Sequence, residues 1–425
     1  MKQVYQITEY GSFVSGRRID GFVTLPESAF AGLENFILSH SDARGGASDL
    51  MTVSVRRGVG KVITAKNYVG VILMRDGTCI EILPKICRPN GCSPAQAKRL
   101  LIEMLKSLHD MPCKSLQTAH VDVEATGLFE VFIRMFIGEV SRLVKHGLKR
   151  AYRSAEQNGA VCRGRLIFAE HIRRNCAHRE RVYAACDEYD LSRPENRLIK
   201  SALLLLYRQT ASAKNKADLK TLLNAFDSVE PSADYSGDFS RIAPDRSMAG
   251  YQTALLWCRV FLTGRSFTAY AGPAAAQALL FPMETLFERY AARLIRKKLS
   301  PLGYRVSVQD RSRHLFTQPS EKFLLRPDMV ITRGEDGAVF ICDTKWKLLS
   351  GGQANYGISQ ADMYQMYAYQ KRYGAESAVL LYPMCDGLTS GAIPDFAAGD
   401  GATVKIRMLD MLDIPGSLDS VIAGL

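Results

Sequence analysis

The sequence lacks the features that mark membrane and secreted proteins. No apolar run in its 425 residues approaches the roughly 18 to 20 residues that a membrane helix requires, and the longest candidate is ALLLLY at 202–207. The first ten residues, MKQVYQITEY, contain no apolar core of the kind found in a secretory signal. The ten cysteines are irregularly spaced and form no CxxC pair, which disfavours a disulfide framework. We therefore expect a cytoplasmic protein without a membrane partner.

A second absence concerns nucleotides. The chain contains no GxxxxGK[ST] loop, the glycine-rich segment whose backbone amides cradle the phosphates of ATP or GTP. This chain is therefore not expected to bind a nucleotide by itself.

The length and the apolar content of the chain predict more than one domain. With 47% hydrophobic residues, the chain can bury two or three cores. Residues 1–92 are β-rich, residues 93–274 show mainly helical spacing of apolar residues, and residues 275–425 mix helices with strands. The polar stretch 227–249 predicts an extended loop. The predicted fold class is multidomain α+β, with a β-rich N-terminal domain, a helical middle region and a C-terminal α/β domain.

Local signals locate the ends of several elements. In YVGVILMRDGTCIEILPKI, the tetrapeptide RDGT predicts a turn between two strands. The Ser93-Pro94 pair predicts a helix start, because Ser suits the N-cap and Pro the first helical position. Helices are also predicted for GLFEVFIRMFIGEVSRLVKHGL, for NRLIKSALLLLYRQ and for the segment beginning at Pro282.

The net charge of +12 arises mostly in the middle of the chain. Residues 134–181 contain twelve basic residues against four acidic ones, with aromatic residues such as Tyr152 and Phe168 between them. Such a strip attracts a phosphate backbone, because neutralising each phosphate releases counterions. A solvated helix face, or a surface for an acidic protein partner, explains the pattern equally well. The arginines expected to bind DNA or a partner are Arg150, Arg153, Arg163, Arg165, Arg173 and Arg174.

Two acidic residues lie on neighbouring predicted strands near the C-terminal end. The runs FLLRPDMVIT and AVFICDTKWK are rich in β-forming residues, and RGEDG between them favours a chain reversal. A reversal centred between Glu335 and Asp336 pairs Asp328 with Asp343, which places their Cβ atoms about 5 Å apart. Alternation along the strand puts Lys345 on the face of Asp343, and Thr344 and Trp346 on the other face.

Two ionised carboxylates side by side repel each other, and a divalent cation between them removes the repulsion. Hard oxygen ligands without His or Cys favour Mg²⁺ or Mn²⁺ over zinc. Such an ion polarises a phosphoryl oxygen and lowers the pKa of a bound water, and a lysine beside it stabilises the developing charge or orients the nucleophile. The predicted reaction is phosphodiester hydrolysis, and the alternative is a pair of solvated surface charges.

The pattern resembles the PD-(D/E)xK nuclease superfamily. Pro327-Asp328 corresponds to its first element and Asp343-Thr344-Lys345 to its second. An Ala is frequent where this chain has Thr344, and little effect is expected from the difference because that side chain should point away from the ion.

A predicted helix after the acidic pair carries a further element of the superfamily. Ser359 and Asp362 suit its start and Gly374 its end, so Gln365 and Tyr369 lie one turn apart on one face. This pair is similar to the Gln-x-x-x-Tyr element of RecB-like members, although a surface pair has the same spacing. The resemblance implies catalytic roles for Asp328, Asp343, Lys345, Gln365 and Tyr369.

The first helix of the C-terminal region supplies a candidate third metal ligand. Members of the superfamily commonly bring an acidic residue from this helix to the ion. Glu288 shares its helical stripe with Ala291, Ala292 and Ile295, and is therefore an acid directed towards apolar surroundings. Glu284, one turn earlier, competes for the role, and an ordinary, partly exposed glutamate is the simpler interpretation. The predicted metal ligands are thus Asp328, Asp343 and Glu288.

Longer blocks resemble the McrC family, the nuclease subunit of McrBC-type restriction systems for 5-methylcytosine DNA. They are VGVILMRDGTCIEILPKI, GLFEVFIRMFIGEVSRLVKHGLKRAY with the following CRGRLIF, and DEYDLSRPENRLIK, which occur in the order of the family. The resemblance implies that this chain carries the cleavage site in a nuclease domain at 275–425. It also implies a separate McrB-like AAA+ GTPase that forms a hexameric ring, recognises methylated double-stranded DNA and translocates. Residues 1–92 are then the domain that docks into the ring and stimulates GTP hydrolysis.

Two alternatives to a restriction endonuclease subunit stay open. The chain could be a non-catalytic stalk that activates a ring NTPase and keeps the nuclease fold only as a scaffold. It could also be a stand-alone DNA repair or recombination nuclease that needs no partner.

Overall fold

The computed structural model describes residues 3–38, 50–74, 76–86, 92–107, 127–242, 248–263, 276–385, 388 and 392–423. These residues form two compact units. The first unit holds the described residues before 129 and after 263, and the second holds those from 129 to 263. Both units combine helices with sheets, so the expected multidomain character with mixed α and β structure is confirmed.

Strands are numbered in chain order. They are β1 Val4–Thr8, β2 Ser12–Ser15, β3 Val23–Leu25, β4 Met51–Arg56, β5 Gly60–Ala65, β6 Tyr68–Met74, β7 Cys79–Leu83, β8 Ala151–Gly159, β9 Arg165–Leu166, β10 Val182–Asp190, β11 Ala276–Pro282, β12 Tyr304–Val308, β13 His314–Phe316, β14 Lys322–Leu324, β15 Met329–Arg333, β16 Val339–Thr344, β17 Ser377–Pro383, β18 Phe396–Ala397 and β19 Thr403–Leu409.

Helices are numbered in the same way. They are α1 Glu27–Leu38, α2 Pro94–Leu105, α3 Leu128–His146, α4 Phe168–Asn175, α5 Pro194–Gln209, α6 Ala213–Ala225, α7 Tyr235–Ser240, α8 Ala249–Thr263, α9 Met283–Leu299, α10 Gln360–Tyr373 and α11 Ile414–Ala423. None of the helices in the described ranges combines the length and the apolar character needed to cross a membrane.

The first unit differs from the three-part division expected from the sequence, because it contains both ends of the chain. Its N-terminal sheet has the order β1-β7-β6-β11, and β11, from the C-terminal part, pairs antiparallel with β6 along seven residues. A second sheet has the order β3-β2-β5-β4. The predicted turn between β6 and β7 is confirmed, since the backbone N–H of Met74 donates to the carbonyl of Thr78 at 2.8 Å.

A six-stranded sheet with the order β12-β15-β16-β17-β19-β18 carries the acidic pair. The strands β16, β17 and β19 are parallel. All seven positions of β17 are buried, as its largely apolar sequence SAVLLYP leads one to expect. Helix α10 connects β16 to β17, and its Met366 and Tyr369 pack with Ile341 and Leu380 of the sheet. Helix α9 packs against β12 and β16.

The predicted hairpin of β15 and β16 is confirmed in position and register. Met329 pairs with Cys342 and Thr332 with Val339, as a reversal between Glu335 and Asp336 requires. The turn is closed by a hydrogen bond from the N–H of Arg333 to the carbonyl of Ala338 at 2.8 Å. Asp336 caps the turn by accepting from the N–H of Ala338 at 3.0 Å.

Predicted helix starts in the first unit are also confirmed. Ser93 is the N-cap of α2, and a capping box forms because Ser93 accepts from the N–H of Gln96 at 3.2 Å while the Gln96 side chain accepts from the N–H of Ser93 at 3.0 Å. Helix α9 begins directly after Pro282, which is its N-cap.

The second unit confirms two helices and corrects two predictions. The segments predicted to be helical form α3 and α5. The region 151–190 contains a three-stranded antiparallel sheet, β8-β10-β9, although the middle region was expected to be mainly helical. Its strands contain few bulky apolar residues, as in AYRSAEQNG, so their period was not visible in the sequence. The stretch 227–249 is not only an extended loop, because it contains the short helix α7, anchored where Arg197 donates to Asp238 at 3.1 Å.

Candidate active site

The acidic pair lies where β15 begins and β16 ends. Asp328 directly precedes the first paired residue of β15, and Asp343 is the penultimate residue of β16. Asp343 is 2% exposed. The Nζ atom of Lys345 lies 2.7 Å from Oδ2 of Asp343, so the prediction that both side chains share one face is confirmed. A buried acid and a lysine thus meet at the end of the hairpin.

Thr344 takes part in the site, contrary to expectation. Oδ2 of Asp328 accepts hydrogen bonds from the backbone N–H of Thr344 at 2.8 Å and from its hydroxyl at 2.7 Å. The expectation assumed that Asp328 is paired in the strand ladder, where alternate side chains point to opposite faces. Asp328 lies outside the ladder, and its carboxylate turns towards the edge of β16. Asp328 is therefore held in place by Thr344.

Glu288 reaches the same cluster from helix α9. The side-chain amide of Gln309 donates to Oδ1 of Asp328 at 3.2 Å and also to Oε1 of Glu288, so it bridges the two acids. Glu284 instead accepts from the side-chain amide of Asn67 at 2.9 Å. Of the two candidate glutamates, Glu288 is the one that lies beside Asp328.

Gln309 was missed by the sequence analysis. It follows β12, whose last residue Val308 pairs with Met329, and this pairing brings Gln309 next to Asp328. Its φ of 52° is unusual for a residue other than glycine, and such a conformation is maintained only where the surrounding structure enforces it. No local sequence pattern predicts that Gln309 belongs to the site. Its place there follows from the register with which β12 pairs with β15.

Helix α10 presents the predicted Gln-Tyr pair to the lysine. The Nζ atom of Lys345 donates to Oε1 of Gln365 at 3.3 Å, and Nε2 of Gln365 donates to the hydroxyl of Tyr369 at 2.6 Å. The predicted spacing on one face of the helix is thereby confirmed. Ser359 is the N-cap residue but makes no side-chain capping hydrogen bond, and Asp362 lies 3.5 Å from Lys345 Nζ.

Burial controls the ionisation of the acids in the cluster. Burial, and then the charge of Asp328, raise the pKa of Asp343 to about 6. Burial, and then the charge of Glu288, raise the pKa of Asp328. Burial also raises the pKa of Glu288, and the charge of Asp343 adds to this effect. The acids are therefore placed where a cation, or a proton, is favoured.

The pKa of Lys345 is governed by its acidic neighbour and not by its burial. Burial alone would lower the pKa of Lys345, but the carboxylate of Asp343 raises it above its usual value. Lys345 is therefore a stable cation beside the acidic pair.

The chemistry of the cluster fits a hard divalent cation. Its possible ligands are carboxylate oxygens, the type preferred by Mg²⁺ and Mn²⁺. Within the described part of the chain, however, no three His, Cys, Asp or Glu side chains are already arranged to hold a metal ion. The bridging amide of Gln309 lies between Glu288 and Asp328, so Glu288 could share an ion with Asp328 only after Gln309 moves.

The predicted basic strip lies in the second unit. Arg173 and Arg174 each pair with Glu170 at 2.8 Å, which partly neutralises them. The guanidinium carbon of Arg150 lies 6.0 Å from the ring centroid of Tyr189, and that ring is 4.9 Å from the exposed ring of Tyr152.

Two further candidate arginines of the strip lie at exposed positions. Arg163 and Arg165 are exposed, and neither forms an ion pair with the side chains that the structure describes. Arg153 lies on β8, and its side chain is outside the described part of the molecule.

The fold is shared with chains of solved McrBC complexes. One belongs to a refined half-complex from a tetradecameric assembly of Thermococcus gammatolerans McrB AAA+ hexamers with bound McrC; it aligns with a TM-score of 0.69 and 18% identity, over 99% of this chain and 100% of that one. Another belongs to the cryo-EM structure of the Thermococcus gammatolerans McrBC complex, with a TM-score of 0.52 and 19% identity, over 70% of this chain and 88% of that one.

The sequence then identifies the family. A family model described as McrBC 5-methylcytosine restriction system component matches residues 63–383. The chain belongs to this family, and the resemblance seen in the sequence is confirmed. A comparison with curated proteins finds no match.

Proposed function

We propose that this chain is the DNA endonuclease subunit of a modification-dependent restriction system. It hydrolyses phosphodiester bonds with Mg²⁺ or Mn²⁺ and acts together with a separate AAA+ GTPase. The observation that carries the proposal is the cluster at the hairpin end. There the half-buried Asp328 is bonded to Thr344, next to the buried Asp343, and the ammonium of Lys345 lies 2.7 Å from Asp343. Membership of a restriction-system family supports DNA as the substrate.

The residues of the cluster have separate roles in this function. Asp328 and Asp343, with Glu288, would hold the ion, which supplies Lewis-acid activation of the phosphodiester and of a water molecule. Lys345 places a positive charge where negative charge develops on the phosphoryl oxygens. Tyr369 holds the amide of Gln365, whose carbonyl oxygen orients the ammonium of Lys345. Thr344 keeps the carboxylate of Asp328 directed at the edge of β16.

The partner in this function is a McrB-like AAA+ GTPase hexamer. The solved relative is described as McrC bound to McrB AAA+ hexamers, which supports the same assembly for this chain. The N-terminal part would dock into the ring and stimulate GTP hydrolysis, while the partner reads 5-methylcytosine in double-stranded DNA. The unpaired arginines of the basic strip would contact either the duplex or the ring. A cytoplasmic location is consistent with this role.

A non-catalytic activator of a ring NTPase is the second candidate function. It is favoured by the absence, among the described residues, of three side chains already placed to hold a metal ion. In that case the acidic cluster would be a remnant of the fold, and the chain would act only through its partner.

Cleavage assays with a co-expressed McrB-like AAA+ partner test these functions. Methylated and unmethylated plasmids are incubated with Mg²⁺ and GTP, using the natural chain, Asp343→Ala, Lys345→Ala and, as a matched control, Asp336→Asn in the turn of the same hairpin. We expect both site variants to lose cleavage of methylated DNA and to keep stimulation of the partner's GTPase, while Asp336→Asn behaves like the natural chain.

Two outcomes contradict the proposal. Restriction of DNA by the site variants at the natural rate would leave only the activator. Cutting of unmodified DNA by the purified chain without a partner would instead indicate a stand-alone nuclease.

A further inference from the structure

A buried carboxyl group outside the candidate site touches the segment that carries Lys345. Glu9 follows β1 and is 1% exposed. Its Oε1 atom accepts hydrogen bonds from the backbone N–H of Lys85 and from the indole N–H of Trp346, both at 2.8 Å. The backbone N–H of Glu9 donates to the carbonyl of Leu83 at 2.9 Å. Glu9 is thus fixed to the N-terminal sheet and reaches a residue that directly follows the lysine.

Trp346 is held from two sides. Its indole N–H is bonded to Glu9, and its ring packs on Phe287 with a centroid separation of 5.3 Å. Phe287 directly precedes Glu288 in helix α9. Because Trp346 directly follows Lys345, fixing the Trp346 side chain also fixes the backbone from which Lys345 projects.

The lysine has several possible partners at its tip. Its ammonium lies 2.7 Å from Asp343, 3.3 Å from Gln365 and 3.5 Å from Asp362. A long, flexible side chain with three such partners can adopt several orientations unless its backbone is held. The segment after β16 is held by one ladder bond, from the N–H of Lys345 to the carbonyl of Leu381 at 2.9 Å, and by the anchored Trp346.

Stability alone does not explain a carboxyl group at position 9. Burial raises the pKa of Glu9 to about 7, which means that its ionised form is unfavourable in this place. Its Oε2 atom is buried and accepts no hydrogen bond from the described residues. Beside it lies a cavity of about 240 Å³ lined by Glu9, Tyr10, Lys85 and Trp346, among other residues. A carboxyl group buried at this cost points to a role for the two hydrogen bonds that its Oε1 atom accepts from Lys85 and Trp346.

We propose that Glu9 is a positioning residue for Lys345 and acts through the indole N–H of Trp346. The inference rests on the proposed nuclease function, in which Lys345 stabilises charge in the transition state. Glu9 does not touch the reacting atoms; it fixes the segment from which the catalytic lysine projects. A residue of the N-terminal sheet therefore sets the geometry of a site that is more than 300 positions away in the sequence.

Kinetics of the full chain with its AAA+ partner test the inference. Glu9→Ala removes the acceptor, Trp346→Phe removes the donor but keeps an aromatic ring against Phe287, and Glu9→Gln keeps an acceptor oxygen. A displacement of about 1 Å near reacting groups costs up to roughly 100-fold in rate. We expect Glu9→Ala and Trp346→Phe to lower kcat by about 10- to 100-fold with KM for DNA changed less than about twofold, and Glu9→Gln to stay within about threefold of the natural chain.

A double variant separates positioning from a general loss of folding. In a Lys345→Ala background, Glu9→Ala should have no further effect on residual cleavage, because the lysine that it positions is already absent. The matched control is Glu34→Gln, which alters an ion pair with Lys61 on the surface of the same unit and should leave kcat unchanged.

A spectroscopic measurement reports on the hydrogen bond itself. The chain contains two tryptophans, so 5-fluorotryptophan labelling gives two ¹⁹F resonances, and Trp346→Phe assigns one of them. We expect that resonance to shift in Glu9→Ala and to return close to its natural position in Glu9→Gln.

The outcomes distinguish this inference from the proposed function. If Lys345→Ala cuts DNA normally, the nuclease function itself fails. If Lys345→Ala abolishes cleavage but folded Glu9→Ala and Trp346→Phe keep the natural kcat, or if Glu9→Gln is as defective as Glu9→Ala, only the positioning role is overturned.

Discussion

Glu81 and the acids at the hairpin end, all in the first unit, are stabilised in different ways. Beneath the N-terminal sheet, Glu81 is fully buried, and its oxygens receive the ammonium of Lys98 at 2.9 Å, the side-chain amide of Gln6 at 2.9 Å and the N–H of Leu128 at 2.5 Å. At the hairpin end, the ammonium of Lys345 faces Asp343, whereas Asp328 and Glu288 are held by neutral donors.

The difference is the one expected between an acid that stabilises the fold and acids that are proposed to bind a cation. Glu81 has a dedicated cation and amide donors for both oxygens, as a buried charge requires. The acids of the cluster lie close to one another, and burial together with mutual repulsion raises their pKa values. Such crowding is typical of sites that receive a cation during function.

The largest effect is expected when the charge of Lys345 is removed from the cluster at the hairpin end. Lys345→Met keeps most of the side-chain length but removes the charge. We expect cleavage to fall by about 10²- to 10³-fold, as when one charge-stabilising group is lost from an active site. Single-turnover cleavage of methylated DNA with the AAA+ partner measures it. A rate within twofold of the natural chain would contradict a catalytic role for this lysine.

The matching change at the structural acid should act on stability instead. Lys98→Met leaves the carboxylate of Glu81 buried without its cation, which typically costs about 3 to 5 kcal/mol of unfolding free energy. Urea denaturation measures the loss, with Lys61→Met, on the surface, as the control. If Lys98→Met were as stable as Lys61→Met, Glu81 would not depend on its cation, and its contrast with the acids at the hairpin end would fail.

The pH dependence of the free energy of unfolding tests whether the acids at the hairpin end are crowded and buried as described. Because the folded pKa of Asp343 is raised to about 6, its contribution to stability is fully present below about pH 4 and is lost as the pH rises through 6. We expect the metal-free chain to lose stability between about pH 4 and 7, with a smaller loss for Asp343→Asn.

Thermal melts at several pH values, with and without Mg²⁺, check this expectation. Mg²⁺ should raise Tm more at pH 8 than at pH 5, because the ion binds ionised carboxylates. An equal rise at both pH values would speak against binding by these acids.

A smaller effect on stability is expected at Gln309, whose neutral side chain bridges Glu288 and Asp328. Gln309→Ala removes a donor to both Glu288 and Asp328, and loss of such hydrogen bonds costs about 1 to 3 kcal/mol in the metal-free chain. The matched control is Gln353→Ala, in the loop that follows β16. Denaturation with and without Mg²⁺ measures both variants, and the ion should recover part of the loss in Gln309→Ala only.

The smallest expected effect concerns the hydroxyl that holds Asp328. Thr344→Ala removes one of two hydrogen bonds from Thr344 and leaves the backbone N–H in place. We expect a decrease in cleavage of about 3- to 10-fold, corresponding to roughly 1 kcal/mol for one hydrogen bond. Thr344→Ser, which keeps the hydroxyl, should cleave faster than Thr344→Ala, and equal rates would remove the hydroxyl from the site.

The parts of the site that were predictable are those set by local chemistry. The turn after Arg333 fixes the register of the hairpin, and this register brings Asp328 to the end of β16. The positions of Ser359 and Gly374 fix the ends of α10, and the spacing within the helix aligns Gln365 with Tyr369. Turn and cap residues act over a few positions, so their effects can be derived from a single sequence.

The parts that were not predictable depend on contacts between distant segments. Gln309 reaches the acids through the pairing of β12 with β15, and Thr344 does so because Asp328 lies outside the ladder. The sheet of β8, β9 and β10 was missed because its strands are mostly polar and lack a clear period. The bond between Glu9 and Trp346 joins positions 337 residues apart, and no local pattern encodes such a contact.

The pairing of β11 with β6 limits how this protein can be divided into pieces. A fragment that stops at residue 92 has no β11, so the seven residues of β6 would present unpaired amides and carbonyls along the edge of an apolar strand. Edges of this kind recruit other strands and lead to aggregation. Grafting residues 276–282 onto such a fragment through a flexible linker would close that edge and give a piece with which the proposed docking can be tested.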